Sequence, residues 1–132
     1  MKALKIEPGK APERINVANE LASLQSLVGG YIEVIYPDER RPVGLICNEE
    51  GKVNGLTPNR AVYEENSREM LDIICGKFFV AYAPFEAERF QSLPPDLAEK
   101  YREKFKYPER FMRANDEIVA VPFKPVRADK ER

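Results

Sequence analysis

The sequence predicts an α+β fold: a single compact domain over residues 1–124, with a mainly antiparallel sheet and two main helices, followed by a flexible polar tail at 125–132. Three observations predict it. Short apolar runs that alternate with polar residues recur along the chain and are cut by Pro and Gly turns. Two segments, 19–30 and 94–105, instead carry apolar residues at helical spacing. The resulting order, β-β-α-β-β-β-α-β, is that of an α+β domain rather than a parallel sheet. At 132 residues, such a chain buries about two thirds of its surface, enough for a core without disulfide or metal staples.

The elements follow in order. ALKIEP alternates and stops at Pro8-Gly9, and ERINVA alternates after Pro12, so the two predict a short hairpin. Asn19 can cap a helix that carries Leu21, Leu24, Leu27 and Val28 on one face and stops at Gly29-Gly30. YIEVIYP is a strand with Tyr31, Glu33 and Ile35 on one side and Ile32, Val34 and Tyr36 on the other. VGLICN is the next strand, and NEEG a tight turn. KVNGLTPNR then reads as turns at Asn54-Gly55 and Pro58-Asn59. EENSRE is a loop. MLDIICGKFFVAYAP is the strongest strand signal, with Gly76 marking a bulge or a close backbone contact. Pro94-Pro95 opens a helix with Leu97, Tyr101 and Phe105 on one face. YPERF reads as a turn and EIVAVPF as a last strand.

Composition removes several chemistries. There is no histidine, so His general acid–base work, Ser-His and Cys-His pairs and most zinc sites are excluded. No apolar run is long enough to span a bilayer, and the N-terminal MKALKIEPGK has no signal-peptide centre. The expected location is the cytoplasm. Cys47 and Cys75 sit in apolar runs without CxxC spacing, which predicts two reduced, buried side chains and no metal site. No cofactor is expected. Residues 1–99 carry 11 Lys+Arg against 16 Asp+Glu, and residues 100–132 carry 10 against 6. The basic last third suggests nucleic acid, but acids are interleaved with its bases as on any solvated helix.

Asn48 to Arg60 is the densest polar stretch that turn rules leave unexplained. Asn amides can read a base edge or another amide. An Arg fork suits phosphate or carboxylate, and Gly-containing turns can form an anion nest. The predicted binding contacts are therefore Asn48, Lys52, Asn54, Asn59 and Arg60, with Tyr31 and Glu33 beside them. The competing reading makes the Asn residues turn formers and Arg60 a structural partner of Glu33 or a neighbouring carboxylate. Glu49 and Glu50 lack the alternating ligands of a calcium loop.

These residues also carry a resemblance. MKALKIEPG, GGYIE at 29–33, LICNEEGK at 45–52, NGLTPNRA at 54–61 and DIICGKFFV at 72–80 resemble a small family, the 3846 domains of unknown function, of Gram-positive phages, mobile elements and their hosts. SLPPDLAEKYREKF and IVAVPFK resemble its longer members. The family usually has LPLNR where this chain has Leu56-Thr57-Pro58-Asn59-Arg60, so its Pro falls one position later. The resemblance implies an accessory protein of mobile DNA that acts against host defences. It would be non-enzymatic, sequestering a small nucleotide-derived signal or a host defence protein. The alternatives are a nucleic-acid module using the basic last third and, below it, a His-free nucleotide hydrolase working through Lys52, Arg60, Glu33 and Cys47. EIVAVPF, apolar on both faces beyond its start, predicts a sheet edge covered by a second copy, with a symmetric dimer as the default.

Overall fold

A computed structural model describes residues 1–125. In chain order the elements are β1 (Lys2–Ile6), β2 (Glu13–Asn16), α1 (Leu21–Val28), β3 (Ile32–Ile35), β4 (Val43–Asn48), β5 (Pro58–Tyr63), β6 (Met70–Cys75), β7 (Phe78–Tyr82), α2 (Pro95–Lys104), β8 (Glu109–Ala114) and β9 (Glu117–Pro122). The α+β class with a large antiparallel sheet and two helices is as the sequence predicts. The tail expected beyond residue 125 lies outside the described residues.

The main sheet has the order β2-β1-β7-β4-β3, and every neighbouring pair is antiparallel. Alternation along its strands divides the core into two. Leu4 and Ile6 of β1, Leu45 and Cys47 of β4, and Phe78 and Val80 of β7 face α2 and the β5–β6 ribbon. Ala3, Ile46, Phe79 and Ala81 face the other way and are covered by Leu24 and Val28 of α1. β4 and β7 are thus buried on both faces, which is why VGLIC and FFVA are nearly continuous apolar runs.

Both helices end where the sequence indicates. Gly29 takes a left-handed φ of 83° and donates to the Gln25 carbonyl, closing α1. At the other end, Asn19 is not the cap. Its amide donates to the Phe90 carbonyl at 2.6 Å, tying the loop before α1 to the segment after β7. Helix α2 opens at Pro95 and buries Leu97 and Tyr101, with Phe105 closing its last turn.

Three further expectations fail. MLDIICGKFFVAYAP is two strands in two sheets. Gly76, at φ 86°, breaks it, and a Cβ there would come within 2.7 Å of Leu56. Before the break β6 pairs with β5; after it β7 enters the main sheet. Pro58-Asn59 is not a turn, because Pro58 opens β5, where a missing N–H is tolerated at a strand's first residue. YPERF is not a turn either: from Glu109 onward it is β8, paired with β9.

Candidate functional site

The turn after β4 leans on the β5–β6 ribbon and leaves a cleft of about 180 Å³, lined by Glu33, Cys47, Asn48, Lys52, Val53, Asp72 and Cys75 among others. Sheet register builds its floor. Glu33 stands directly opposite Cys47, and the Cys47 Sγ lies 3.8 Å from both the Glu33 carboxylate and the Glu33 carbonyl. Burial pushes the Cys47 thiol up to about 12, and the negative charge of Glu33 acts in the same direction. It is a thiol, not a nucleophilic thiolate, at neutral pH. Cys75 is only half-buried, a correction to the expectation of two buried cysteines, and burial raises its pKa too.

One wall is the turn itself. Gly51 lies against the backbone of Cys75, where a Cβ would meet the carbonyl oxygen at 2.6 Å, so only glycine lets the turn approach so closely. Lys52 then reaches the Asp72 carboxylate on β6 as an ion pair. That hydrogen bond holds the Lys52 ammonium above its ordinary pKa. The cleft is open: Val53 in its lining is 83% exposed, and Tyr31, 69% exposed, adjoins it through its carbonyl, which accepts the Glu49 N–H at 2.8 Å.

The predicted contacts separate into two groups. Tyr31, Glu33, Lys52 and Asn54 are exposed around the cleft or the tip of its turn. Asn48 lines the cleft but is buried. Its amide donates to the Val28 carbonyl at 3.3 Å, and its Oδ1 accepts the Glu50 N–H at 2.8 Å. It therefore fastens the turn to the end of α1 rather than offering itself to a ligand.

Asn59 and Arg60 do not belong to the site. Both are fully buried in β5. Asn59 donates to the carbonyls of Ile6 at 3.0 Å and Gly76 at 2.9 Å. Arg60 donates to the Phe105 carbonyl at 2.9 Å, the Lys10 carbonyl at 2.7 Å and the Asn59 Oδ1 at 2.8 Å. Burial lowers its pKa to about 10, opposed by the Glu109 carboxylate. The acid facing it is therefore Glu109, not Glu33. Glu109 is itself half-buried, raised by that burial, and accepts the Ala61 N–H at 2.8 Å. Arg60 joins the loop after β1, the end of α2 and β5, with no face left for a ligand. Conversely, the sequence reading missed Asp72, Cys75 and Val53. Asp72, an acid inside an otherwise apolar run, was the available signal.

A second concavity of about 660 Å³ lies beside α2, between Tyr63, Glu65, Arg68, Lys100 and Lys104. Glu65 takes both lysines, Lys100 at 3.1 Å and Lys104 as a closer pair. Among the described residues no group of three or more Cys, Asp or Glu side chains is placed to hold a metal ion, and no helix is long and apolar enough to cross a membrane.

No curated protein and no solved structure matches the chain. A family model does, over residues 1–106. That span holds the main sheet, both helices and every residue of the cleft, and stops before β8. The chain belongs to the family described as Domain of unknown function (DUF3846).

Proposed function

We propose that the chain is a non-catalytic binding protein whose target is another protein, engaged through the face around the β4–β5 turn. The observation that carries this reading is the exposure of two apolar side chains at the charged cleft of Glu33, Lys52 and Asp72: Val53 in its lining, and Tyr31, whose carbonyl accepts the N–H of the lining residue Glu49. An exposed tyrosine is the side chain that protein interfaces favour as an anchor, and a polar rim with fixed charges supplies register. A nucleotide signal is the weaker form of the reading. The cleft, at about 180 Å³, is smaller than the usual 300–1,000 Å³ of a ligand pocket. Its cation is already paired with Asp72, and Arg60, the expected phosphate fork, is buried. A thiol held near 12 supports binding rather than thiolate catalysis. The resemblance to proteins of phages and mobile elements makes a host defence protein in the bacterial cytoplasm the expected target.

The test is affinity capture from host lysate with the native chain and with a Tyr31→Ala/Val53→Ser double variant. Both positions are exposed, so folding stability should move by less than about 0.5 kcal/mol. The expected result is one protein retained by the native chain and by an Arg68→Ala variant, and lost with the double variant. Retention that ignores the double variant, or a nucleotide released on heating the purified native chain, would overturn the reading.

A further inference from the structure

We propose that the outer face of the β8–β9 hairpin is a self-association surface, on which two copies of this chain stack face to face about a two-fold axis. The register puts Arg110 opposite Val121, Met112 opposite Val119 and Ala114 opposite Glu117. These six share one face, since opposed residues on paired strands point the same way. The other face turns inward toward its base, where Glu109 accepts the Ala61 N–H and Phe111 and Ala120 are half-buried, while Ile118 nearer the tip is 48% exposed. On the outer face Met112 is 58% exposed, Val119 42% and Val121 41%. A two-stranded ribbon is marginal in water unless one face is packed, and the outer face of this one leaves Met112, Val119 and Val121 side by side in solvent.

The order of charges along the stripe selects the occupant. Arg110 stands at the base of the hairpin, the apolar residues in the middle, and Glu117 at the tip. A two-fold axis that reverses strand direction lays the tip of one hairpin over the base of the other. Glu117 of each copy then reaches the end that carries Arg110 of the second copy, while Met112 and Val119 meet their own counterparts. The same surface with strand directions aligned would oppose like charges. This is the self-complementarity that an isologous interface requires. Arg110 is held ready, its guanidinium stacked 4.7 Å from the ring centre of Phe123 on the same face. The hairpin lies outside the matched family span and away from the cleft, so this inference stands apart from the proposed function.

Light scattering on the full chain from 1 to 100 µM tests it, with far-UV circular dichroism confirming the fold of each variant. The native chain should dimerise, and Met112→Glu should be monomeric throughout. Glu117→Arg should weaken the dimer about fivefold or more, as expected for two exposed pairs. The double swap Arg110→Glu/Glu117→Arg should recover it. A native chain that remains monomeric at 100 µM overturns the proposal. So does a dimer indifferent to Met112→Glu, or a double swap no tighter than Glu117→Arg alone.

Discussion

Lys52 and Arg60 belong to one polar stretch and carry the same charge, yet they stand in opposite environments. Lys52 lies on a turn, 60% exposed in its side chain, and pairs with a carboxylate across an open cleft. Arg60 lies inside a strand, sealed from water, and donates to the main-chain carbonyls of Lys10 and Phe105 and to the side-chain oxygen of Asn59. What separates them is the point at which the chain re-enters a sheet. On the turn itself, at Lys52 and Asn54, the polar groups can be offered to a partner; from Asn59 onward they satisfy the protein's own backbone. A cation in a turn-rich stretch is thus a binding candidate only if no strand begins beneath it.

Breaking the buried side of this contrast should have the largest effect. Arg60→Met removes the donors for the Lys10 and Phe105 carbonyls, and the loss should be about 3–5 kcal/mol. Urea unfolding would show it. A midpoint that barely moves would mean the carbonyls find water, and the contrast would collapse. Asn48 and Asn54 sharpen the same line within the turn. Asn48→Ala breaks two buried hydrogen bonds and should cost about 1–2 kcal/mol, whereas Asn54→Ala at the exposed tip should stay within about 0.5 kcal/mol. Equal losses at both would show that burial does not divide them.

The smallest effect concerns Cys47. Its folded-state pKa of about 12 lies above its ordinary value of 9.0. Stability linked to this thiol is therefore full below pH 9 and declines as pH rises through about 12, because the unfolded chain loses the proton first. At pH 8 the folded chain should carry far less Cys47 thiolate than the unfolded chain, because burial disfavours the charged form. Iodoacetamide labelling, located by mass spectrometry, should be correspondingly slower in the native state. Native labelling at the urea-unfolded rate would contradict the burial described for the cleft floor.

Much of the fold was legible because it rests on local signals. β1 to β3 alternate visibly, β4 is a short apolar run bounded by turn residues, α1 stops at Gly29, and α2 starts at a proline and repeats its apolar face every four residues. β5 was illegible because its first residues, Pro58 and Asn59, are turn formers by type. Only tertiary partners, the carbonyls of Ile6 and Gly76, make that asparagine a strand residue. Gly76 signals a bulge or a close contact, and the close contact, with Leu56, is there, but no local signal says that the chain changes sheets at it. β8 was hidden by its charges, Glu109, Arg110 and Arg113, which suit a ribbon open on one face. Of the site, Tyr31, Glu33, Lys52 and Asn54 could be read from residue type and turn position. Asp72, Cys75 and Val53 required the ribbon to fold back over the turn.

The placement of β1 beside β7 has a consequence for how the chain is made. Leu4 lies opposite Val80, so β1 finds its inner neighbour only after the segment of more than seventy residues between them has been synthesised. Until then the β1–β2 hairpin has one apolar edge and no sheet to join. Pairings between residues so distant in sequence close large loops and slow the search for the native state. At ordinary rates of about 5–20 residues per second, that edge stays open for seconds in every newly made copy. Assembly of the main sheet therefore waits on the arrival of FFVAY.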